Sequence, residues 1–306
     1  MALYGTQYVR LDDWARSRDF QVRWLVAKEQ AKLSGAGSTV IVNVDSAKAT
    51  INGINVWLAA PVAFRQGQLY ISPVDVTKVL NPLIWPSKSS AAKPIRTICL
   101  DPGHGGRDMG HGANGHTEKY YTMLLAKELK EQLGKAGFKV VMTRNSDSYV
   151  ELDERPDAAR LRKADLFLSL HFNSAGRGNS SVKGSEIYCM TPAFTSSTNA
   201  RGEGGQTRAY PGNKFDSKNV LLAYEIQKAM VKQLRTEDRG VKHARFAVLR
   251  TAEMPAVLIE GGFLTNPSEA KKIATPAYRK QMAQAITSGI LNYRKALERD
   301  QELAAK

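Results

Sequence analysis

From Arg96 onward the sequence alternates short apolar runs with segments of helical period, and this alternation most restricts what the chain can fold into. Arg96 to Asp101, Lys139 to Thr143, Asp165 to His171, Gly184 to Met190 and Ala256 to Glu260 read as strands. Between them, helices are expected from Thr117 to about Ala136, from about Leu152 to Leu161, and from Ser217 to about Leu234. A last helix opens at Thr275-Pro276 and runs to about Leu297, with Tyr278, Met282, Ala285, Ile286, Gly289 and Tyr293 on one stripe. Thr117 and Ser217 stand where capping residues belong, and Gly137 follows the first helix. Strands that alternate with helices predict an α/β fold with a mainly parallel sheet flanked by helices.

The stretch before Arg96 is different. Pro82 to Pro94 is rich in Pro, Ser and Ala and reads as a boundary. We expect a small strand-rich domain over residues 1–85, a linker over 86–94 and a second domain over 95–300. Asn52-Gly53 between Ala49-Thr50-Ile51 and Ile54-Asn55-Val56 predicts a two-residue hairpin, and Gln66-Gly67 a second turn. Ser72-Pro73 opens a short helix. No ionisable cluster in this half reads as catalytic.

Three of the apolar runs end in chemistry. Ile98-Cys99-Leu100 enters Asp101-Pro102-Gly103-His104-Gly105-Gly106, Leu168-Ser169-Leu170 enters His171, and Val257-Leu258-Ile259 enters Glu260-Gly261-Gly262. Reactive groups of open α/β sheets gather at the carboxyl ends of strands, so these side chains are expected at one rim. Glu118 joins them. It lies four residues before Thr122 and seven before Leu125, on the stripe that continues through Leu129 and Leu133. A carboxylate on a buried stripe needs a partner, although a first-turn Glu is also favoured by the helix dipole alone. Two imidazoles and one carboxylate suit zinc with an open position, giving His104, Glu118 and His171 as ligands. Glu260 is then free to act as general base and acid.

The motifs themselves carry a resemblance. Asp101-Pro102-Gly103-His104-Gly105-Gly106, Glu118-Lys119, Ser169-Leu170-His171-Phe172-Asn173, Arg239-Gly240-Val241 and Met254-Pro255 through Glu260-Gly261-Gly262-Phe263-Leu264-Thr265-Asn266 occur in order over about residues 95–297. In this it resembles the zinc-dependent N-acetylmuramoyl-L-alanine amidases of the amidase-3 family. The resemblance implies a six-stranded sheet, one Zn2+ held by His104, Glu118 and His171, and Glu260 as catalytic carboxylate. It implies hydrolysis of the amide between N-acetylmuramic acid and L-alanine of the peptidoglycan stem peptide. Met109 and His111 depart from residues common in the family, as does Ala158-Ala159-Arg160. Residues 191–216 are Gly- and Ser-rich without an apolar stripe, so no helical plug over the metal is expected there. Ile51 to Leu58 and Gly67 to Ser72 resemble the copper amine oxidase N-terminal-like module, which where it accompanies amidases implies binding or positioning on the cell wall.

Other residues carry two readings each. Asn173 either orients His171 or donates to the substrate, unless it only forms a turn. Arg144 and Arg155 are candidates for pairing with stem-peptide carboxylates. Asp101 supports the site or shapes a turn. His111 and His116 lie between two proposed ligands and either could replace one, although they read first as solvated loop histidines. His243 reads as a cleft or surface residue, and Trp24, Trp57 and Trp85 as core rather than a sugar-stacking platform. Cys99 and Cys189 sit in apolar runs and read as buried thiols.

The 44 Lys and Arg against 29 Asp and Glu give +15. Such a charge favours a polyanionic partner. Residues 1–93 hold 11 Lys/Arg and 6 Asp/Glu, or +5, leaving +10 for the rest. Charge spread in this way suits an anionic wall, and no zinc-finger, recognition-helix or aromatic-platform signal points to nucleic acid. No apolar run approaches the ~18 residues of a membrane span. The first residues lack the apolar core of a leader, so either the protein is cytosolic or a leader has been removed; the periplasmic or extracellular site of action that the resemblance implies requires the second. The alternative to an enzyme is a wall-binding protein that retains the fold without activity. Need for a protein activator is left open.

Overall fold

The computed structural model describes residues 1–3, 6–86, 94–113, 116–176, 178–198 and 208–298. The expected linker lies almost wholly outside them. The first half contributes a meander of strands β1 (Gln21–Val26), β2 (Gln30–Gly35), β3 (Ser38–Asn43), β4 (Lys48–Ile51) and β5 (Ile54–Trp57), each antiparallel to the next. Alternate residues Ala31, Leu33, Val40, Val42, Ala49 and Ile51 are buried, as a period of two requires. Asn52 and Gly53 both take positive φ, 46° and 84°, which gives the hairpin turn its right-handed twist. The first half also holds a three-stranded sheet of Val9–Arg10, Gln68–Ile71 and Ala63–Arg65, a short pair of Ala2–Leu3 and Thr6–Gln7, and the helix Leu11–Ser17. A helical segment opens at Pro73 behind the Ser72 cap, as expected, and runs on to Ile84.

The second half supplies β6 (Thr97–Pro102), α1 (Glu118–Lys135), β7 (Lys139–Met142), α2 (Glu154–Leu161), β8 (Leu166–Asn173), β9 (Ser185–Met190), α3 (Asp216–Leu234), β10 (Asp238–Ala244), β11 (Ala256–Phe263) and α4 (Pro276–Glu298). Among the described residues one sheet runs in the order β7-β6-β8-β11-β9-β10-β5-β4-β3-β2-β1. Its first six strands form the expected six-stranded α/β unit. Four of their five pairings are parallel, and β9 runs antiparallel to β11. Strand β10 has no apolar run to announce it. Asp238-Arg239-Gly240-Val241-Lys242-His243-Ala244 is mostly polar, yet its last five residues are buried. Its charged side chains find partners inside the molecule, Asp238 at neutral donors and Arg239 and Lys242 at Glu186, which hydropathy does not reveal.

The two halves share this sheet. Val241 of β10 pairs in parallel with Val56 of β5. Asp238 Oδ2 accepts from Asn55 N at 2.7 Å, Asn55 Nδ2 donates to Asp238 O, and Trp57 Nε1 donates to Arg239 O. Trp24 and Trp85 pack against the core, as expected.

Alternation along the central strands makes two cores. Leu100, Leu168, Ile187 and Ile259 face α1, α3 and α4. Cys99, Phe167, Tyr188 and Leu258 face the other way, toward the helical turn Ala247–Arg250. Each of these leucines, isoleucines and the phenylalanine contributes about 1.5–3 kcal/mol by leaving water. Cys99 and Cys189 lie in different cores, buried and free. His243 is buried in β10, not on the cleft or the surface; its Nδ1 lies 3.3 Å from Cys189 Sγ, and burial presses its pKa down to about 4. Thr117 occupies the N-cap position of α1 without a side-chain capping bond, and α3 begins at Asp216, before Ser217. Residues 191–216 include a short 3₁₀ turn, Pro211–Phe215, while 199–207 lie outside the described residues.

Asp75 is fully buried in the first half and accepts from Ala59 N at 2.6 Å and Ala60 N at 3.3 Å. Burial pushes its carboxyl up to about 7 in spite of those donors. The unfolded chain titrates this group near 4. Its contribution to stability is therefore present below pH 4 and lost as pH rises through 7. Urea midpoints measured from pH 4 to 8 should decline with a component that Asp75→Asn removes; an identical slope in that variant would refute the assignment.

Candidate metal centre and its surroundings

The sheet register sets the site. His171 of β8 lies opposite Glu260 of β11, and Glu260 opposite Glu186 of β9. Directly paired residues project from the same face, so these three stand in a row at one rim. Glu118, in the first turn of α1, completes the group from above.

Glu118 is clasped from both sides. Its Oε2 lies 3.0 Å from His104 Nε2 and its Oε1 2.8 Å from His171 Nδ1. His111 N and Phe172 N also donate to the two oxygens. Burial works against the charge on Glu118, but hydrogen bonds from both imidazoles outweigh it and hold the carboxyl well below the usual range. The ligating atoms of His104, Glu118 and His171 all lie within 4.8 Å of one another. The structure thus brings together the three expected ligands.

The donor set fits a divalent cation. His104 Nδ1 lies 2.8 Å from Asp108 Oδ2, and a carboxylate only accepts, so Nδ1 carries the proton there. Its other nitrogen then faces Glu118 Oε2, where either a second proton or a cation must sit. A carboxylate behind a ligating imidazole fixes its tautomer and orientation. Glycines clear the space. A Cβ on Gly103 would fall 2.4 Å from His171 Nε2, and one on Gly110 would fall 2.6 Å from both Glu118 Oε2 and His104 Cδ2. Asp108 and Gly110 were not evident in the sequence, since each matters only through its contact with a ligand. His111 is not part of the ligand group, although its Nε2 is buried without a partner. His116 lies in a two-residue strand, His116–Thr117, paired with Gly112–Ala113.

Glu260 is half-buried, and its Oε2 is shielded without a hydrogen-bond partner. Burial and then the nearby charges of Glu118 and Glu186 push its carboxyl well above the usual range. Glu186 is the opposite case. Lys242 Nζ at 2.5 Å, Arg239 Nε at 2.8 Å, Tyr188 Oη at 2.8 Å and Asn173 Nδ2 at 2.7 Å all donate to it. Those donors overcome burial and hold its carboxyl below the usual range. A Glu inside Ser185-Glu186-Ile187-Tyr188, wholly buried, was the available signal for this cluster.

Three expected substrate contacts are corrected. The Asn173 amide is turned to Glu186, not to His171 or an open cleft. Arg144 is buried and donates to the carbonyls of Pro102, Gly103, Lys119 and Ser146. Arg155 is buried as well; it meets Asp101 Oδ1 at 2.8 Å and donates to the carbonyls of Pro102, His104 and Val150. Both guanidinium groups brace the loop that presents His104. Both are almost wholly buried. Asp101 also accepts from Thr143 and Ser169, tying adjacent strand ends together beneath the site. The loop needs bracing because His104 itself takes a positive φ of 61°, a conformation unfavourable to a side chain.

An α/β sheet with two imidazoles and two carboxylates gathered at one rim is the arrangement of the hydrolase class the motifs suggested. The sequence profile of N-acetylmuramoyl-L-alanine amidases matches residues 98–292, and that of the copper amine oxidase N-terminal domain matches residues 2–90. The chain belongs to the amidase-3 family of N-acetylmuramoyl-L-alanine amidases, peptidoglycan hydrolases that cleave the bond between N-acetylmuramic acid and L-alanine. It is 36% identical over 222 residues to N-acetylmuramoyl-L-alanine amidase LytC of Bacillus subtilis, covering 72% of this chain and 39% of LytC. It is 37% identical over 207 residues to the uncharacterized protein YqiI of the same organism, covering 67% of this chain and 89% of YqiI. Among solved structures, an N-acetylmuramoyl-L-alanine amidase from Clostridium difficile 630 superposes with a TM-score of 0.54 at 32% identity, covering 66% of this chain and 97% of that one. AmiC2 of Nostoc punctiforme gives a TM-score of 0.55 at 30% identity, covering 66% and 98%.

Proposed function

We propose that this chain is a zinc enzyme in which His104, Glu118 and His171 hold the ion and Glu260 carries the proton. The observation that supports this reading most is the clasp of Glu118 by two imidazoles beside an in-register, unpartnered carboxylate. A zinc ion held there supplies Lewis-acid polarisation of the amide carbonyl and acidifies water. Asp108 keeps the His104 ring turned inward. Glu260 takes a proton from the attacking water as its oxygen bonds to the carbonyl carbon. It returns that proton to the nitrogen of L-alanine as the carbon–nitrogen bond breaks, so atoms and charge balance.

The chain divides, in this reading, into a positioning unit over residues 1–85, a linker over 86–94 and a catalytic unit over 95–300. The first carries part of the +15 charge that draws the protein to an anionic wall. Action outside the cytoplasmic membrane follows from the substrate, and no described helix is long and apolar enough to cross a membrane.

Purified protein incubated with isolated peptidoglycan should release stem peptides with free L-alanine amines. A chelator should abolish release and added zinc restore it, at one ion per chain by mass spectrometry. Wall binding without release would return the protein to the non-catalytic alternative.

A further inference from the structure

With Arg144 and Arg155 committed to the loop, no group described so far recognises the peptide. Arg239 can. Only its Nε is engaged, with Glu186 Oε2, and its terminal nitrogens have no partner among the described residues. Its guanidinium lies 4.9 Å from the centre of the Phe263 ring, and its side chain remains 28% exposed. Lys242, at 2.5 Å, already compensates the Glu186 charge, so the guanidinium is left with charge and donors to offer.

Its placement suits a peptide. Glu186 is in register with Glu260 on one side and with Gly240, the residue after Arg239, on the other. Arg239 thus begins two strand spacings, roughly 10 Å, from the proton-carrying carboxylate. An extended peptide advances about 3.3–3.6 Å per residue, so a group one to three residues beyond the scissile amide falls within reach. A planar fork with two free donors, fixed by an aromatic ring and a buried carboxylate, matches the two oxygens of a carboxylate.

We propose that Arg239 is the receptor for a carboxylate on the stem peptide and sets which peptides are cleaved. The assignment rests on the amidase reading above. It is tested on the zinc-loaded full chain with two soluble muramoyl peptides, identical except that the acidic residue following L-alanine bears a free carboxylate or a carboxamide. Wild-type protein should favour the carboxylate by about tenfold to a hundredfold in kcat/KM, mainly through KM, as expected for a charge-assisted hydrogen-bond pair. Arg239→Gln should bring that ratio close to one, and Arg239→Lys should recover part of it. Because each variant meets both substrates, loss of folded protein cancels in the ratio. Equal use of both substrates by the wild type, or an unchanged ratio in Arg239→Gln, overturns the assignment while leaving the amidase reading intact. Failure of the wild type to cleave either overturns the amidase reading, and this one with it.

Discussion

Glu260→Gln protein is expected to fold and take up zinc as the wild type does while releasing stem peptide about 10²–10⁴-fold more slowly. The substitution keeps the shape of the side chain and removes only its capacity to accept and return a proton. Glu260 Oε2 has no partner to lose, so little rearrangement should follow. Among the described residues no neighbouring carboxylate is placed to substitute. Glu186 is held by four donors, and Glu118 faces two imidazoles. Single-turnover rates on soluble muramoyl peptides, with zinc content measured alongside, give the comparison. Activity within tenfold of the wild type would mean that the proton travels by another route.

Arg155→Met should lower stability by about 3–5 kcal/mol, the usual cost of breaking a buried ion pair from one side. Arg155 and Asp101 are among the most buried charged residues, at 2% and 0% exposure. Removing the guanidinium strands the Asp101 charge, with only the Thr143 and Ser169 hydroxyls left to it. It also takes donors from three carbonyls, that of His104 included. Urea unfolding at unchanged m-value measures the loss. Adding Asp101→Asn should recover part of it, because the stranded charge is then gone. His104, released from its unfavourable backbone conformation, should also weaken zinc binding in the single variant. A loss below about 1 kcal/mol would show that the pair is not needed to brace the loop.

Much of the centre was legible because it depends on periodicity. An apolar run that stops at a charged residue marks a strand end, and Glu118 on the Leu125 and Leu129 stripe marks an inward side chain. What could not be read depends on contacts between distant residues. Arg144 and Arg155 look like any arginine beside a core element; only the fold shows them turned inward against backbone carbonyls. Strand β10 hid behind Lys242 and Arg239, which both meet Glu186, far away in sequence. Asp108 and Gly110 gain their meaning from the imidazole and carboxylate beside them. The strand-rich first half was legible from its turns, but its pairing with β10 was not, since one register pair, Val56 with Val241, and a few side-chain bonds around it leave no pattern in either segment.

That junction has a consequence for handling the protein. Cut away from residues 1–93, the remaining chain would present the outer backbone row of β10 to solvent, open to cross-pairing with another molecule. The meander covers that edge in the intact chain, and preparations of the shorter fragment should cluster, by light scattering, at concentrations where the intact chain stays dispersed.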